Sequence, residues 1–150
     1  NEQPLALLAR LARSGPTAML FIDYGHEGAA AGETLQAVRG HAYESPLDHP
    51  GQADLSAHVE FAEFRSAAAG AGLDGTASIP QAVFLGSLGI VERAERLIRG
   101  ASPGIANTLE HGIARLLEPQ GMGTRFRALA LTSRGLALPP GFEASATDRA

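Results

Sequence analysis

The groups best suited to chemistry crowd one stretch of this chain, where His49, Asp54, His58 and Glu60 follow one another closely. Two histidines and a carboxylate form the donor set of non-haem iron sites, so His49, Asp54 and His58 are the first arrangement to weigh. Asp54 and His58 share a helix face only where a helix runs through both, and Pro50 and Gly51 argue for a loop just before them. In a loop such groups serve by hydrogen bonding to fix its shape, and no metal is assigned. A second group, Asp23-Tyr24-Gly25, closes an apolar run. Two further patterns fail on context. Gly70-Ala71-Gly72-Leu73-Asp74-Gly75 has the spacing of a dinucleotide fingerprint, but it follows a helical pattern and precedes a strand, so no helix start faces a phosphate. Gly86-Ser87-Leu88-Gly89 lacks the glycine that a nucleophile elbow needs two positions before the serine, where Leu85 stands.

The elements that must position these groups read as an alternation of helices and strands. Residues 2–14 form a helix with Leu5, Leu8, Leu11 and Ala12 on one stripe, closed by Ser14-Gly15-Pro16. Residues 17–23 are an unbroken apolar run, the pattern of a central parallel strand buried on both faces. A short strand is expected over 34–39 and a loop over 45–53. An entry segment from Asp54 leads into a helix striped by Phe61, Phe64 and Ala68, which ends at Gly70 and Gly72. Asp74-Gly75 reads as a turn, 76–79 as a short strand, and Ser78-x-x-Gln81 as a capping box. Three helices are expected over 80–117, the last with Ser102 as N-cap and Pro103 at its first position. Their core is expected at Phe84, Leu88, Leu97, Ile98, Leu109, Ile113 and Leu116. Residues 124–132 complete the sheet, and the stretch after Gly135 reads as a surface tail.

The chain has 150 residues, enough for one domain, and its composition (45% hydrophobic, 19% charged) is that of an ordinary globular protein. A net charge of −4 without Lys or Arg clusters argues against nucleic acid as a partner. There is no cysteine, which excludes disulfides and thiolate metal sites and fits a reducing, cytoplasmic location. No apolar run reaches the ~18 residues of a membrane span. Asn1-Glu2-Gln3-Pro4 carries neither a basic leader nor a methionine, so the expectation is a chain that begins inside a longer one.

Several segments, taken in order, carry a resemblance. They are Asp23-Tyr24-Gly25-His26, Thr34 to Tyr43, Pro50-Gly51-Gln52-Ala53-Asp54-Leu55-Ser56-Ala57-His58-Val59-Glu60-Phe61, Gln81 with Phe84-Leu85, and Met122 to Arg127. Together they resemble the MidA family of S-adenosylmethionine-dependent methyltransferases, which includes mitochondrial assembly factors for respiratory complex I. Where that family usually has D-[LI]-T-A-H-V-D-F, this chain differs only by Ser56 and Glu60.

The resemblance implies an α/β fold, the carboxyl-terminal portion of a Rossmann-like class I methyltransferase sheet. Residues 17–23 would be its fifth strand, 76–79 and 126–132 its antiparallel last pair, and about 80–120 a helical insertion between them. Residues 1–135 would belong to that domain and 136–150 to a tail. It also implies S-adenosylmethionine as cofactor, although the family's glycine-rich donor loop and acidic donor contact have no counterpart here, so the cofactor-binding residues are not assigned. Ligands in open α/β sheets sit beyond the carboxyl ends of strands, which places Asp23, Tyr24 and Gly25 at the substrate, with Gly25 allowing a sharp turn. The acceptor implied is an arginine of a protein partner, a respiratory-complex subunit being the candidate. Because arginine stays protonated, a carboxylate must orient it. Asp54 and Glu60, with Glu33 beside them, are the carboxylates for that role. His58 and His41 are the hydrogen-bond or proton-relay partners, and Gln81 is a further substrate contact. The exposed sheet edge left by missing strands implies self-association, and the alternative is a non-catalytic interaction module derived from the same fold.

Overall fold

The computed structural model describes residues 2–28 and 32–143, with side chains described from residue 6 onward. In chain order the elements are α1 (Glu2–Arg13), β1 (Ala18–His26), β2 (Gln36–Arg39), β3 (Ala42–Glu44), β4 (Asp54–Ser56), β5 (Val59–Glu60), α2 (Phe61–Gly70), β6 (Leu73–Gly75), β7 (Ile79–Pro80), α3 (Gln81–Ser87), α4 (Ile90–Arg99), α5 (Pro103–Leu117) and β8 (Phe126–Ser133). They form a mixed sheet in the order β5-β1-β8-β6, with β7 also on β8, and a small sheet in the order β3-β2-β4. This is the partial class I methyltransferase architecture expected from the sequence.

The main sheet turns on one antiparallel pairing. β1 lies along β8 from Ala18↔Thr132 to Tyr24↔Phe126. On its other edge β8 takes β6 (Gly75↔Leu131) and β7 (Ile79↔Ala128), both antiparallel. The expected turn at Asp74-Gly75 is therefore strand, and of the expected strand over 76–79 only Ile79 pairs, 76–78 being a short interruption. Thr76 bridges that interruption: its N–H donates to the Ala130 carbonyl and its hydroxyl accepts from the Ala130 N–H at 3.1 Å. Ser78 caps no helix, because α3 starts at Gln81 without a side-chain cap and the Ser78 hydroxyl is used elsewhere.

The strand buried on both faces is β8, not residues 17–23. Ala128, Leu129, Ala130 and Leu131 are all fully buried. Side chains alternate across a strand, so Leu129 and Leu131 meet Leu8, Phe61, Ala68 and Leu73 on one side, and Ala128 and Ala130 meet Phe84 and Phe142 on the other. β1 is covered on one face alone: Met19 and Phe21 pack on the first cluster, while Leu20 and Ile22 are 48% and 42% exposed. The helical insertion explains the difference, because it reaches the sheet through Phe84 and covers β8 but not β1.

The insertion folds as three helices, yet its expected core is thin. Phe84 is buried, Leu88 and Leu97 are exposed, Ile98 of α4 is partly covered, and no residue of α5 is fully buried, so Leu109, Ile113 and Leu116 are also only partly covered. The stretch after Gly135 is better packed than a surface tail as far as Glu143. Phe142 has no exposed surface, its ring stands 5.1 Å from that of Phe84, and Gly141 is held at φ +95 where a Cβ would strike the Phe84 ring. Residues 144–150 lie outside the described residues. Phe142→Ala should cost about 3–5 kcal/mol, the range for emptying a buried phenylalanine site. Urea denaturation checks this, and a midpoint equal to wild type would mean that the segment is not part of the core.

Candidate functional site

Four segments meet at the carboxyl end of β1. The backbone of β1 runs beside β5 in parallel, pairing Gly25 with Val59 and His26 with Glu60. A Cβ at Gly25 would lie 2.2 Å from the Val59 carbonyl oxygen and 2.7 Å from the Phe61 ring, so only glycine permits this approach. That replaces the expected role of a sharp turn, since the strand continues through Gly25 to His26.

Glu60 then ties the loop after β1 to the helix after β5. Its Oε1 accepts from the N–H of Gly28 at 2.9 Å and of Ala62 at 3.2 Å, and its Oε2 accepts from Glu63 N–H at 2.8 Å. The last two are the orphan donors at the start of α2, and a carboxylate there also meets the positive end of the helix dipole. Both oxygens are committed to backbone. Glu60 is thereby placed as an anchor of the site rather than a free acid at its surface.

A second carboxylate, Glu27, had no place in the sequence reading and organises the neighbouring loop. Its Oε2 accepts from both the N–H and the hydroxyl of Ser78, at 3.0 and 2.6 Å, and its Oε1 pairs with Arg65. Arg127 completes the cluster by donating from Nε to the Ser78 hydroxyl and from a terminal nitrogen to the Ser78 carbonyl, each at 2.6 Å. Burial pushes the Glu27 carboxyl up, but the hydrogen bonds from Ser78 and Arg65 outweigh it and hold the group below its ordinary value.

The cavity beyond the carboxyl end of β1 has a volume of about 620 Å³. The small sheet builds one wall. Gln36 pairs with Ser56 and Val38 pairs with Tyr43, so these four side chains share one sheet face. Tyr24, Gly25 and Arg125 form the facing wall, and Ala57 and His58 close the gap between the two sheets. Tyr24 is steadied by Phe126, whose ring lies 4.0 Å away. His58 is exposed; its N–H donates to the Thr34 hydroxyl, and its ring stands 6.2 Å from that of His26. Asp54 pairs with Val38 and so stands on the same sheet face, just outside the cavity lining.

Another cavity, of about 540 Å³, runs along the open side of β1 and shares the Ala57 and His58 wall. Phe21, Ile22, Phe61, Phe64 and Ala67 line it, with Asp23 at its rim. Asp23 is exposed and its Oδ1 accepts from the Tyr24 N–H at 2.7 Å.

Other expected site residues lie elsewhere. His41 sits with Gly40 at the tip of the β2–β3 hairpin, both at positive φ, and lines neither cavity. Gln81 is buried, and its amide donates to the Leu116 carbonyl at 3.0 Å, which ties α3 to the end of α5. Glu33 is exposed and lines neither cavity. His49 faces Glu44, which also pairs with Arg39, so it is a loop-fixing group. Gly70 to Gly75 is a helix stop followed by a strand, with Gly72 at φ +86. Among the described residues no three metal-ligating side chains converge, and no helix is long and apolar enough to cross a membrane.

Residues 3–78 match a family of putative S-adenosyl-L-methionine-dependent methyltransferases. The chain is 36% identical over 121 residues to the protein arginine methyltransferase NDUFAF7, mitochondrial, of Danio rerio, covering 81% of this chain and 28% of that protein. The Drosophila melanogaster homolog is 36% identical over 133 residues, covering 87% and 30% of the two chains. A crystal structure from Burkholderia thailandensis with bound S-adenosyl-homocysteine superimposes with a TM-score of 0.76 at 26% identity, covering 94% of this chain and 38% of that one. The chain thus spans under two fifths of each of these proteins. A cytoplasmic location is overturned by the same comparison, since the relatives are named as mitochondrial proteins.

The Glu27 cluster has a pH signature. A lowered carboxylate stabilises the fold fully above its unfolded value of about 4.3, and that contribution is lost as pH falls through the lower folded value. Glu27→Gln should therefore destabilise the protein at pH 7 by about 1–2 kcal/mol, a partly exposed cluster of charge-assisted bonds. The gap should close as the pH drops below about 4. Urea midpoints at both pH values decide it, and an equal gap at both would remove Glu27 as the source.

Proposed function

This chain belongs to the family of putative S-adenosyl-L-methionine-dependent methyltransferases, and we propose that it forms the acceptor side of an enzyme that methylates an arginine of a protein. The observation that carries the reading is the cavity at the carboxyl end of β1, where open α/β sheets bind their ligands. Its walls lie almost wholly within the residues matched to the family. For the same reason the alternative, an interaction module without catalysis, is the weaker reading.

The described residues do not fit the methyl donor on their own. The stretch with dinucleotide-fingerprint spacing, Gly70 to Gly75, closes α2 instead of opening a helix, and Glu60 occupies the first N–H groups of α2 that could have met an anion. We assign the donor to segments of the enzyme outside this chain, in keeping with the small share of its relatives that it spans.

On the acceptor side, the roles follow from placement. A guanidinium keeps its charge at neutral pH, and its nitrogen lone pairs are delocalised. Asp54, on the cavity face of β4, would hold the guanidinium in one orientation and draw its charge away from the nitrogen that accepts the methyl group. His58, four residues on at the cavity wall, would take the proton that this nitrogen loses. Tyr24 and Gly25 shape the wall, and Glu60 is a positioning residue for the whole corner. A respiratory-complex subunit is the candidate protein substrate, on the resemblance to that family. The domain proposed over 1–135 extends to Glu143, since Phe142 joins its core, and the uncovered side of β1 is the surface for self-association.

Two experiments test the division of labour. Calorimetric titration of the 150-residue chain with S-adenosylmethionine should show no saturable binding. Micromolar affinity would mean that this segment holds the donor alone. In the full-length enzyme, Asp54→Asn should lower kcat on the order of 10- to 100-fold with donor affinity unchanged. An unchanged kcat would exclude Asp54 from the acceptor site.

A further inference from the structure

Resting on that acceptor-side reading, we propose that the cavity selects a protein substrate carrying an aspartate or glutamate close in sequence to the methylated residue, and that Arg125 is the group that recognises it. Arg125 is the only arginine or lysine among the described residues that lines the cavity, and no carboxylate lines it. Among the described residues Arg125 has no ion pair and no side-chain hydrogen bond. Three other arginines of the sheets and α2 are engaged, Arg39 by Glu44, Arg65 by Glu27, and Arg127 by Ser78.

The position of Arg125 is built rather than incidental. The loop before it is pressed against the end of α5, where a Cβ at Gly123 would lie 2.0 Å from the Leu117 carbonyl oxygen. Thr124 donates from its hydroxyl to the Pro119 carbonyl at 3.2 Å. The next residue, Phe126, stacks on Tyr24 and begins β8. The backbone of Arg125 is thus fixed beside Gly25, whose N–H points at the Arg125 carbonyl at 3.4 Å, while its side chain stays exposed to the cavity.

The rest of the lining suits a carboxylate. The Tyr24 and Tyr43 phenols, the Ser56 hydroxyl and the Gln36 amide can all donate hydrogen bonds, and the guanidinium offers the planar fork that carboxylates accept in pairs. The same charge repels an acceptor arginine from the Arg125 side of the cavity and turns it toward the His58 wall and Asp54, which stands on the same sheet face at the edge of the lining. The face therefore reads two opposite charges in one segment, and a segment with charges of one sign meets repulsion at one of the two ends.

The test uses the full-length protein and short fluorescent peptides in which one arginine is flanked by Glu or, in a matched peptide, by Gln. Fluorescence anisotropy should show the Glu peptide binding roughly tenfold more tightly, the effect of one charge-assisted contact. Arg125→Gln should abolish that difference, and Arg125→Lys should keep part of it. Equal affinity for the two peptides, no binding of either, or a preference that survives Arg125→Gln would overturn the inference. Transfer of labelled methyl groups to the same peptides is read in parallel. A charge preference without transfer leaves Arg125 in its role and removes the arginine-methylation reading; transfer without preference does the reverse.

Discussion

The antiparallel pairing of β1 with β8 is the constraint on which the rest depends. It joins Ala18 to Thr132 at one end and Tyr24 to Phe126 at the other, closing a loop of more than a hundred residues. Because the strands run in opposite senses, the carboxyl end of β1 lies beside the amino end of β8. That is why Tyr24 and Gly25 meet Arg125 at one corner. A parallel pairing would have put these residues at opposite ends of the sheet. β8 anchors the corner because its four central side chains are buried from both faces, and shifting its register by one residue would exchange alanines for leucines on each side.

Much of this was legible in the sequence where a period was present. The Phe61/Phe64/Ala68 stripe and the three helices of the insertion are legible in apolar spacing, the antiparallel last pair of strands follows from the family resemblance, and Ser102-Pro103 marks the start of α5 correctly. What was misread has a common cause. A continuous apolar run does not say whether protein covers both of its faces, so 17–23 was taken for the doubly buried strand while β8 holds that place. Leu88 and Leu97 keep helical spacing yet face outward, because a helix pair resting on a sheet edge has more apolar positions than neighbours to cover them.

The site was legible in part. The segment from Asp54 to Glu60 does border the cavity, but periodicity could not show that Glu60 is consumed by backbone donors. The Glu27, Arg65, Ser78 and Arg127 cluster draws single residues from four separate segments, and no local spacing links them. Ser78 was even assigned to a capping box by its distance from Gln81. Arg125 lay within a segment singled out for its resemblance, yet its chemistry shows only when β8 brings it against Tyr24.

The two cavities differ in the chemistry of their linings. Ligand pockets combine apolar walls with a few convergent polar groups that are free to act. Along the open side of β1, two of the carboxylates are already engaged: Asp23 accepts from the next backbone N–H, and Glu60 from three others. The wall between them is mostly apolar, with Phe21 against Phe64 at a centroid distance of 4.9 Å, beside a strand edge paired only at Gly25 and His26 among the described residues. An apolar wall next to unpaired backbone donors and acceptors suits further protein, which can supply a strand and side chains together. The corner beyond Tyr24 is the reverse case, since among the described residues its hydroxyls, amide and guanidinium have no side-chain partner. Of the two, the corner beyond Tyr24 is therefore the one whose chemistry suits a polar ligand, and the open side of β1 the one that suits an apolar protein surface.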